Sequence, residues 1–236
     1  MKNVIIPSGP QRSLAFYLAM EEYMAREFSD DVFFTWRVPP TVIIGRNQVL
    51  ENEVNLPFCR SKGIKVFRRR SGGGCVYADY GNIMLSYVSG RTDAPVLFDR
   101  YLSELASALS SLGLPAEKSG RNDIMVEGRK ISGNAFHQLH DRSIVHGTLL
   151  YSTDLEALTE AIRPPVEKLQ RHGVESVRQR VMNLSEYVAL MTESDDALKS
   201  PEALEEYLVG YFTDGEIVLN ENDLEKIELI TDTYGR

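Results

Sequence analysis

Dense positive charge beside flexible backbone is the first feature of this sequence that could do chemistry. Residues 68–74 read Arg-Arg-Arg-Ser-Gly-Gly-Gly. Glycines expose their N–H groups and adopt the positive φ angles of anion-binding loops, and arginine binds phosphate or carboxylate bidentately. The spacing is neither a P-loop nor a dinucleotide-binding fingerprint, and a surface turn with solvated arginines is the alternative. The candidate anion-binding residues are Arg68, Arg69, Arg70, Ser71, Gly72, Gly73 and Gly74.

A lysine in a predicted hairpin is the second such feature. Residues 120–135 predict two strands joined at Glu127-Gly128. Lys130 lies on the second strand, and its ammonium could neutralise a reacting phosphate or carbonyl, with Asp123 holding it in place. An exposed hairpin with a solvated Lys/Arg pair is the alternative. The other polar candidates of this hairpin are Asn122, Ser132 and Gly133.

A third polar interruption lies in the apolar strand predicted at 143–152, where the sequence reads His146-Gly-Thr148. A histidine in such a strand is more often a satisfied core or edge residue than a ligand or catalyst. A zinc site built from His137, His140 and His146 is the other reading, but the spacing brings no cysteine or carboxylate cluster with it.

The elements that must position these residues alternate between strands and helices. Helical spacing of apolar residues follows Ser13, and strands are predicted at 32–36 and 41–45 on either side of Pro39-Pro40. Further helices are predicted at 51–62, at 96–112, after Asp154, after Asn183, after Ser200 and at 223–235, and further strands at 64–69, around Tyr80-Gly81 and at 215–219. This order predicts an α+β fold, a mixed sheet with flanking helices.

Composition narrows the class of protein. The chain has 236 residues, 43% hydrophobic and 25% charged, with a net charge of −8, which disfavours a nucleic-acid-binding protein. Two cysteines form no disulfide framework, and no stretch has the length of a membrane span or the pattern of a signal peptide. We expect one cytoplasmic domain over residues 1–236.

Taken in order, these segments resemble the lipoate–protein ligase family. The blocks that carry the resemblance are LAFYLAMEEYMAR, TWRVPPTVIIGRNQ, RRRSGGGCVYADYGN, SGRNDIMVEGRKISGNA, HGTLLYSTDLEAL and VESVRQRVMNLSEY. The resemblance implies a fold shared with biotin–protein ligases and related to class II aminoacyl-tRNA synthetase cores. It also implies that lipoate and ATP, with Mg²⁺, give lipoyl-AMP, and that a lysine of an acceptor lipoyl domain then takes the lipoyl group. The implied acceptors are 2-oxoacid dehydrogenase E2 subunits or the glycine-cleavage H protein.

The resemblance also implies roles for individual residues. Lys130 matches the family lysine that contacts the carboxylate oxygen and the α-phosphate, and Arg69 with the glycine loop matches the segment around the lipoyl chain and phosphate. Asn122 and Asp123 match the adenylate side. The remaining matches are Glu21 and Asn82 near the acyl end, His146 and Thr148 on the strand that closes the pocket, and Trp36, Tyr77 and Ile44 as candidate tunnel residues, with core packing favoured for Ile44.

Departures from the family pattern leave alternatives open. Ala78 replaces a common histidine, and Cys75 replaces a common alanine; we interpret Cys75 as a packing residue rather than an acyl-thioester nucleophile. The small accessory domain that follows the catalytic domain in bacterial relatives is expected to be absent. A transferase that uses a preformed acyl donor, a ligase that needs a separate accessory protein, a biotin ligase and a non-catalytic lipoate carrier are the alternatives.

Overall fold

The computed structural model describes residues 1–90, 93–119, 122–162 and 180–234. The strands are β1 (Lys2–Ile5), β2 (Val32–Trp36), β3 (Thr41–Ile44), β4 (Lys65–Arg68), β5 (Val76–Ala78), β6 (Asn82–Ser89), β7 (Ala116–Ser119), β8 (Asp123–Val126), β9 (Arg129–Leu139), β10 (Arg142–Leu150) and β11 (Glu216–Val218). The helices are α1 (Leu14–Glu27), α2 (Leu50–Glu53), α3 (Leu56–Ser61), α4 (Ala94–Ser111), α5 (Leu155–Ala161), α6 (Leu184–Val188), α7 (Pro201–Phe212) and α8 (Glu221–Thr231).

A large mixed sheet lies at the centre, with strand order β11-β1-β2-β6-β10-β9-β8-β7. Side chains alternate across it because successive residues of a strand point to opposite faces. On β6, Ile83 and Leu85 join the core beneath α4 and α7, whereas Met84 and Val88 join the core beneath α1 and α8. The sheet therefore separates two layers of helices, which agrees with the predicted fold class.

A smaller sheet, β4-β3-β5, lies beside the large one. Alternation again divides its residues: Ile43 packs towards α1, whereas Val42, Ile44 and Tyr77 pack into a third core with α3 and α5. The loop from β4 to β5 carries Ser71 and the glycines, so this sheet holds the predicted anion-binding loop at one end.

Three local predictions were incomplete. β1 and β7, each 4 residues long, were not predicted. The helix predicted at 51–62 is two short helices, because the Asn55 side chain accepts a hydrogen bond from the N–H of Phe58 and starts a new helix there. No helix in the described parts of the chain combines the length and the apolar character needed to cross a bilayer.

Candidate active site

A cleft opens between the glycine loop of the small sheet and strands β9 and β10 of the large one. Its described lining residues are Leu18, Trp36, Ile43, Arg69, Gly73, Gly74, Cys75, Val76, Met84, Asn122, Lys130, Gly133, Asn134, Ala135, His146, Gly147 and Thr148. The predicted glycine loop, lysine hairpin and His146 strand therefore meet at one place.

One wall of the cleft is apolar. Trp36 lines the cleft as predicted, but Tyr77, the second candidate for the tunnel, lies in the core with α3 and α5. Ile44 lies in the same core, the role that the sequence analysis favoured for it. The pairing of Ile43 with Val76 in the β3–β5 ladder explains this, since these two residues face the cleft and their sequence neighbours face away.

Lys130 lies at the polar end of the cleft. Its Nζ is 2.7 Å from Asp123 Oδ1, the partner predicted for it, and its side chain is 34% exposed. Gly133 makes room for it, since a β-carbon at that position would lie 2.7 Å from Lys130 Nζ. Behind the strand, the N–H of Met182 donates to the carbonyl of Lys130 at 3.0 Å, which holds this part of β9 from outside.

Asn134 is a cleft residue that the sequence analysis did not select. Its amide donates to Ser132 Oγ at 3.0 Å and to the carbonyl of Asn122 at 3.1 Å, and its Oδ1 accepts from Tyr101 Oη at 3.1 Å. Gly147 leaves the space for this side chain, because a β-carbon there would overlap Asn134 Oδ1. The sequence feature that could have identified Asn134 is its polar side chain among the small residues of the segment 132–135, SGNA.

Arg69 holds the glycine loop from inside. Its Nε donates to Ser71 Oγ at 3.0 Å, its Nη1 to the carbonyl of Ile43 at 3.1 Å, and its Nη2 to the carbonyls of Gly72 and Gly74 at 2.7 Å each. Because most of its donors are used within the protein, Arg69 shapes the loop, and its charge acts on the cleft from behind the backbone. Burial lowers the pKa of this guanidinium, as expected for a charge removed from water.

The two flanking arginines are also tethers, although both side chains are partly exposed to solvent. Arg68 Nη1 donates to the carbonyls of Gly45, Arg46 and Gln48 at 2.8–3.1 Å. Arg70 Nη1 lies 2.8 and 2.9 Å from the two carboxylate oxygens of the buried Glu22. The positive charge beside the glycines therefore serves to fix a loop that has little side-chain packing of its own.

The glycines of this loop present unpaired donors. Among the described residues, the N–H groups of Gly72, Gly73 and Gly74 donate to no protein acceptor. Gly73 has φ +90°, a conformation that favours glycine. The carbonyl oxygen of Gly73 packs closely on Gly45, and a β-carbon at position 45 would overlap this oxygen. Close backbone approach thus leaves adjacent N–H groups available to an anion at the cleft.

A buried chain of hydrogen bonds runs behind the cleft. Ser71 Oγ lies 2.7 Å from His146 Nε2, and His146 Nδ1 lies 3.0 Å from Glu21 Oε2. Ser86 Oγ donates to Glu21 Oε1 at 2.6 Å and accepts from Trp36 Nε1 at 2.8 Å. Glu21, predicted near the acyl end, therefore reaches the cleft through His146 rather than directly.

The other predicted site residues are divided between the cleft and the core. Thr148 lines the cleft, and its hydroxyl lies 3.3 Å from the carbonyl of Gly133. Asn82 and Ser132 are fully buried and lie outside the described lining, so neither contacts the cleft as predicted. Asn82 instead donates to the carbonyl of Tyr77 at 3.2 Å across the β5–β6 turn. Across the described residues, no cluster of ligands suited to a metal includes His137, His140 or His146.

Comparison with known proteins decides the family. Residues 13–206 match the lipoyl protein ligase A/B catalytic domain. A Mycoplasma pneumoniae protein named "Probable lipoate-protein ligase A" is 35% identical over 238 residues, which cover 97% of this chain and 68% of that protein. The chain belongs to the lipoyl protein ligase A/B family. This membership confirms the family resemblance, and every cleft residue named above falls inside the matched range.

Solved structures of lipoate ligases share the fold. A putative lipoate protein ligase from T. acidophilum with bound lipoic acid aligns with a TM-score of 0.81 at 24% identity, covering 100% of this chain and 97% of that chain. A lipoate-protein ligase A bound with ATP aligns with a TM-score of 0.81 at 25% identity, covering 100% and 96%. A bi-partite lipoate protein ligase from Thermoplasma acidophilum, studied with its E2 lipoyl domain, aligns with a TM-score of 0.79 at 26% identity, covering 100% and 93%. The predicted α+β fold of the lipoyl protein ligase A/B family is thus confirmed.

Proposed function

We propose that this chain is a lipoate–protein ligase that joins lipoate to ATP, forming lipoyl-AMP and pyrophosphate, and then transfers the lipoyl group to a lysine of a lipoyl acceptor domain. Membership of the family and the M. pneumoniae relative support this function. The observation that carries it is the position of Lys130 in a cleft with an apolar wall on one side and, on the other, glycine N–H groups that donate to no acceptor among the described residues.

The first step needs charge stabilisation around an α-phosphate. The lipoate carboxylate attacks phosphorus, and negative charge accumulates on the oxygens that surround it. The Lys130 ammonium, held 2.7 Å from Asp123, is a fixed positive charge at this end of the cleft. The N–H groups of Gly73 and Gly74 add oriented dipoles, and donors arranged before the reaction stabilise such charge most effectively.

The second step uses the same groups. An acceptor lysine amine attacks the carbonyl carbon of the mixed anhydride, and AMP leaves with the electrons of the C–O bond. The apolar wall around Trp36, Ile43 and Met84 would hold the acyl chain, so that the carbonyl lies beside Lys130. The ammonium then stabilises the tetrahedral oxyanion and the departing phosphate.

The surrounding residues would orient these groups. Arg69 and Ser71 shape the glycine loop, and Asn122, Asn134 and Thr148 form the polar surface on the adenylate side. Mg²⁺ would be held mainly by the ATP phosphates, since Mg²⁺ keeps several waters and is usually bound through one or two carboxylates together with substrate phosphates. Asp123 is the carboxylate beside Lys130 that suits such a role.

The proposed partners are lipoyl acceptor domains, such as those of 2-oxoacid dehydrogenase E2 subunits or the glycine-cleavage H protein. The fold shared with a bi-partite ligase studied with its E2 lipoyl domain supports this class of partner. We treat residues 1–236 as one catalytic domain. The cytoplasm is the proposed location, because a reducing compartment suits two unpaired cysteines.

The test uses the purified chain with lipoate, Mg²⁺-ATP and an acceptor lipoyl domain. We expect pyrophosphate release and an acceptor mass increase of one lipoyl group. The Lys130→Ala variant should lose both and keep its fold, whereas Lys118→Ala, which removes a surface lysine paired with Asp99, should keep both. Normal turnover by Lys130→Ala would refute the mechanism, and thermal stabilisation by biotin rather than lipoate would indicate a biotin ligase.

The bi-partite relative favours a second candidate, in which activation requires a separate accessory protein. Chemically prepared lipoyl-AMP separates the two candidates. A chain that modifies the acceptor from lipoyl-AMP, but releases no pyrophosphate from lipoate and ATP, is a transferase on its own.

A further inference from the structure

Tyr101 carries a hydroxyl group into the apolar core between α4 and the large sheet. The residue lies on α4, is 0% exposed, and belongs to the same core as Leu97 and Leu105. Burial raises the pKa of Tyr101 well above its ordinary value, so the hydroxyl keeps its proton and donates it to Asn134 Oδ1 at 3.1 Å. A phenylalanine would bury the same ring without the cost of burying a polar group, so packing alone does not account for this hydroxyl.

Two neighbours hold the Asn134 amide from opposite ends. The main-chain carbonyl of Asn122 accepts from Asn134 N at 3.0 Å and from Asn134 Nδ2 at 3.1 Å. A carbonyl oxygen can only accept, so the nitrogen of the amide must face Asn122, and its oxygen then faces the proton of Tyr101. The Asn134 side chain, 4% exposed, therefore has a partner for both of its amide atoms.

Removing the Tyr101 proton would disturb this arrangement. Asn134 Oδ1 would lose the donor described for it, and a buried acceptor without a donor is costly. Ser132 Oγ, 3.0 Å from Asn134 Nδ2, is a hydroxyl that can also donate. The amide can thus recover a hydrogen bond for its oxygen by turning towards Ser132. That turn brings the oxygen towards the carbonyl of Asn122, where two acceptors repel each other.

Asn134 in turn holds the corner at which β8 begins. Asn122 also donates from Nδ2 to the main-chain carbonyl of Asn134 at 2.9 Å, so the two residues are joined in both directions. The next residue is Asp123, whose Oδ1 lies 2.7 Å from Lys130 Nζ. Asn122, Asn134 and Lys130 line the cleft, whereas Tyr101 is not among the described lining residues. A continuous set of contacts therefore leads from the buried face of α4 to the ammonium of Lys130.

We propose that Tyr101 is a positioning residue for the adenylate-forming step, an inference that rests on the proposed function. Its hydroxyl holds the Asn134 amide, the amide holds Asn122, and the fixed corner at Asn122 sets the carboxylate that holds Lys130. Tyr101 acts from outside the cleft. It therefore affects the rate of the step in which the Lys130 charge is used, and not the binding of the lipoyl chain by the apolar wall.

The first test compares two buried tyrosines. Tyr101→Phe removes the hydroxyl and keeps the ring, and pyrophosphate release is measured with lipoate and Mg²⁺-ATP. We expect kcat to fall about tenfold, because small misplacements of a reacting group are costly, and KM for lipoate to stay within about twofold of the wild type. Tyr151→Phe is the matched control. Tyr151 is 6% exposed and donates to the carbonyl of Leu198 at 2.7 Å, away from the described lining of the cleft.

Both variants lose one buried hydrogen bond, so urea unfolding should show a similar loss of stability in the two proteins, with kcat lowered in Tyr101→Phe alone. A wild-type kcat in Tyr101→Phe, or equal slowing in Tyr151→Phe, would overturn the inference. So would a rise in KM for lipoate without a change in kcat.

The second test checks the route through Asn134. Asn134→Ala has no amide to turn, and it should show a similar fall in kcat by itself. Adding Tyr101→Phe to Asn134→Ala should change kcat by less than about twofold, because two residues that act through one contact are not additive. A second tenfold loss would mean that Tyr101 acts by another route. This pair of variants also decides the question if Tyr101→Phe alone does not fold.

Nuclear magnetic resonance of the side-chain amides provides a measurement that needs no turnover. In ¹⁵N-labelled protein, the NH₂ resonances of Asn122 and Asn134 should shift in Tyr101→Phe and stay in place in Tyr151→Phe. Unshifted resonances in Tyr101→Phe would contradict the inference. A wild type that releases no pyrophosphate would instead refute the proposed function, and the amide resonances would still show whether Tyr101 holds Asn122.

Discussion

Lys130 occupies the space that a side chain at position 133 would need. A β-carbon on Gly133 would lie 2.7 Å from Lys130 Nζ and 2.8 Å from its Cε, closer than van der Waals contact allows. The ammonium is also 2.7 Å from Asp123 Oδ1. The absence of a side chain on one residue of β9 and a carboxylate on β8 therefore set where the charge of Lys130 lies.

Replacing Gly133 with alanine should displace this ammonium. The β-carbon would push Lys130 off Asp123, and the flexible lysine could move without unfolding the strand. We expect ligase activity to fall by on the order of 10²-fold, with little change in unfolding temperature. Gly210→Ala, in α7 with no atom within 4 Å of the added carbon, is the control. Unchanged activity in Gly133→Ala would mean that the position of Lys130 matters less than its charge.

The glycines of the loop should differ sharply in their tolerance of alanine. Gly73 has φ +90°, and a β-carbon there would lie 2.9 Å from Arg69 Nη2, whereas one on Gly72 meets nothing within 4 Å. We expect Gly73→Ala to lower the free energy of unfolding by about 1–2 kcal/mol and to weaken lipoate binding in calorimetry. Gly72→Ala should stay within about 0.5 kcal/mol of the wild type. Equal losses at both positions would argue against the loop conformation described above.

Arg70 should stabilise the fold through Glu22. The Glu22 side chain is 3% exposed and accepts two hydrogen bonds from Arg70, which also donates to Thr233 Oγ1 at 2.6 Å. Arg26 Nη2, at 3.4 Å, and Tyr234 Oη also donate to the Glu22 carboxylate, so Arg70→Ala removes part of the compensation for this buried charge and not all of it. We expect a cost of about 2 kcal/mol in urea unfolding, the partial exposure of Arg70 reducing the effect. The double variant Arg70→Met with Glu22→Met should cost less than Arg70→Ala. A double variant as unstable as the sum of the two single changes would show that the pair does not interact.

The sequence predicted the cleft residues best where chemistry and local pattern coincide. The glycine loop and the Lys130–Asp123 pair were selected because each interrupts an apolar pattern with groups suited to anions, whereas His146 was placed at the pocket only through the family resemblance. The face of a strand was harder to predict. Tyr77 was considered for the cleft in place of its neighbour Val76, because a shift of one residue reverses the direction of every side chain of a strand.

Long-range partners were beyond local reasoning. Glu21 and His146 are 125 residues apart and meet only because α1 packs against β10. The three arginines at 68–70 suggested ligand binding, and their actual acceptors are loop carbonyls and Glu22. Nothing in the spacing of these arginines distinguishes a guanidinium that binds phosphate from one that holds a loop.

The two cysteines should react slowly in the folded protein. Burial raises the pKa of Cys75 to about 12 and also raises that of Cys59, so little of either thiol is in the reactive thiolate form. We expect iodoacetamide at pH 8 to label Cys75 on the order of 10³-fold more slowly than a free cysteine. Measured in a Cys59→Ala background, labelling should become rapid in urea. Fast labelling of folded Cys75, or loss of activity in Cys75→Ala, would restore the thioester alternative.

Glu205 should make the stability of the fold depend on pH. Burial, only partly offset by Arg37, raises the pKa of Glu205 from 4.5 to about 6. A carboxyl group with a raised pKa binds its proton more tightly in the folded state, so its contribution to stability is present below pH 4.5 and is lost as the pH rises through 6. Glu205→Gln removes this charge, and the variant should exceed the wild type by about 1 kcal/mol at pH 7 but match it at pH 4.5. Urea unfolding, followed by the fluorescence of Trp36, measures the free energy of unfolding of both proteins at each pH. If the two proteins differ by the same amount at pH 7 and at pH 4.5, packing and not ionisation accounts for the difference.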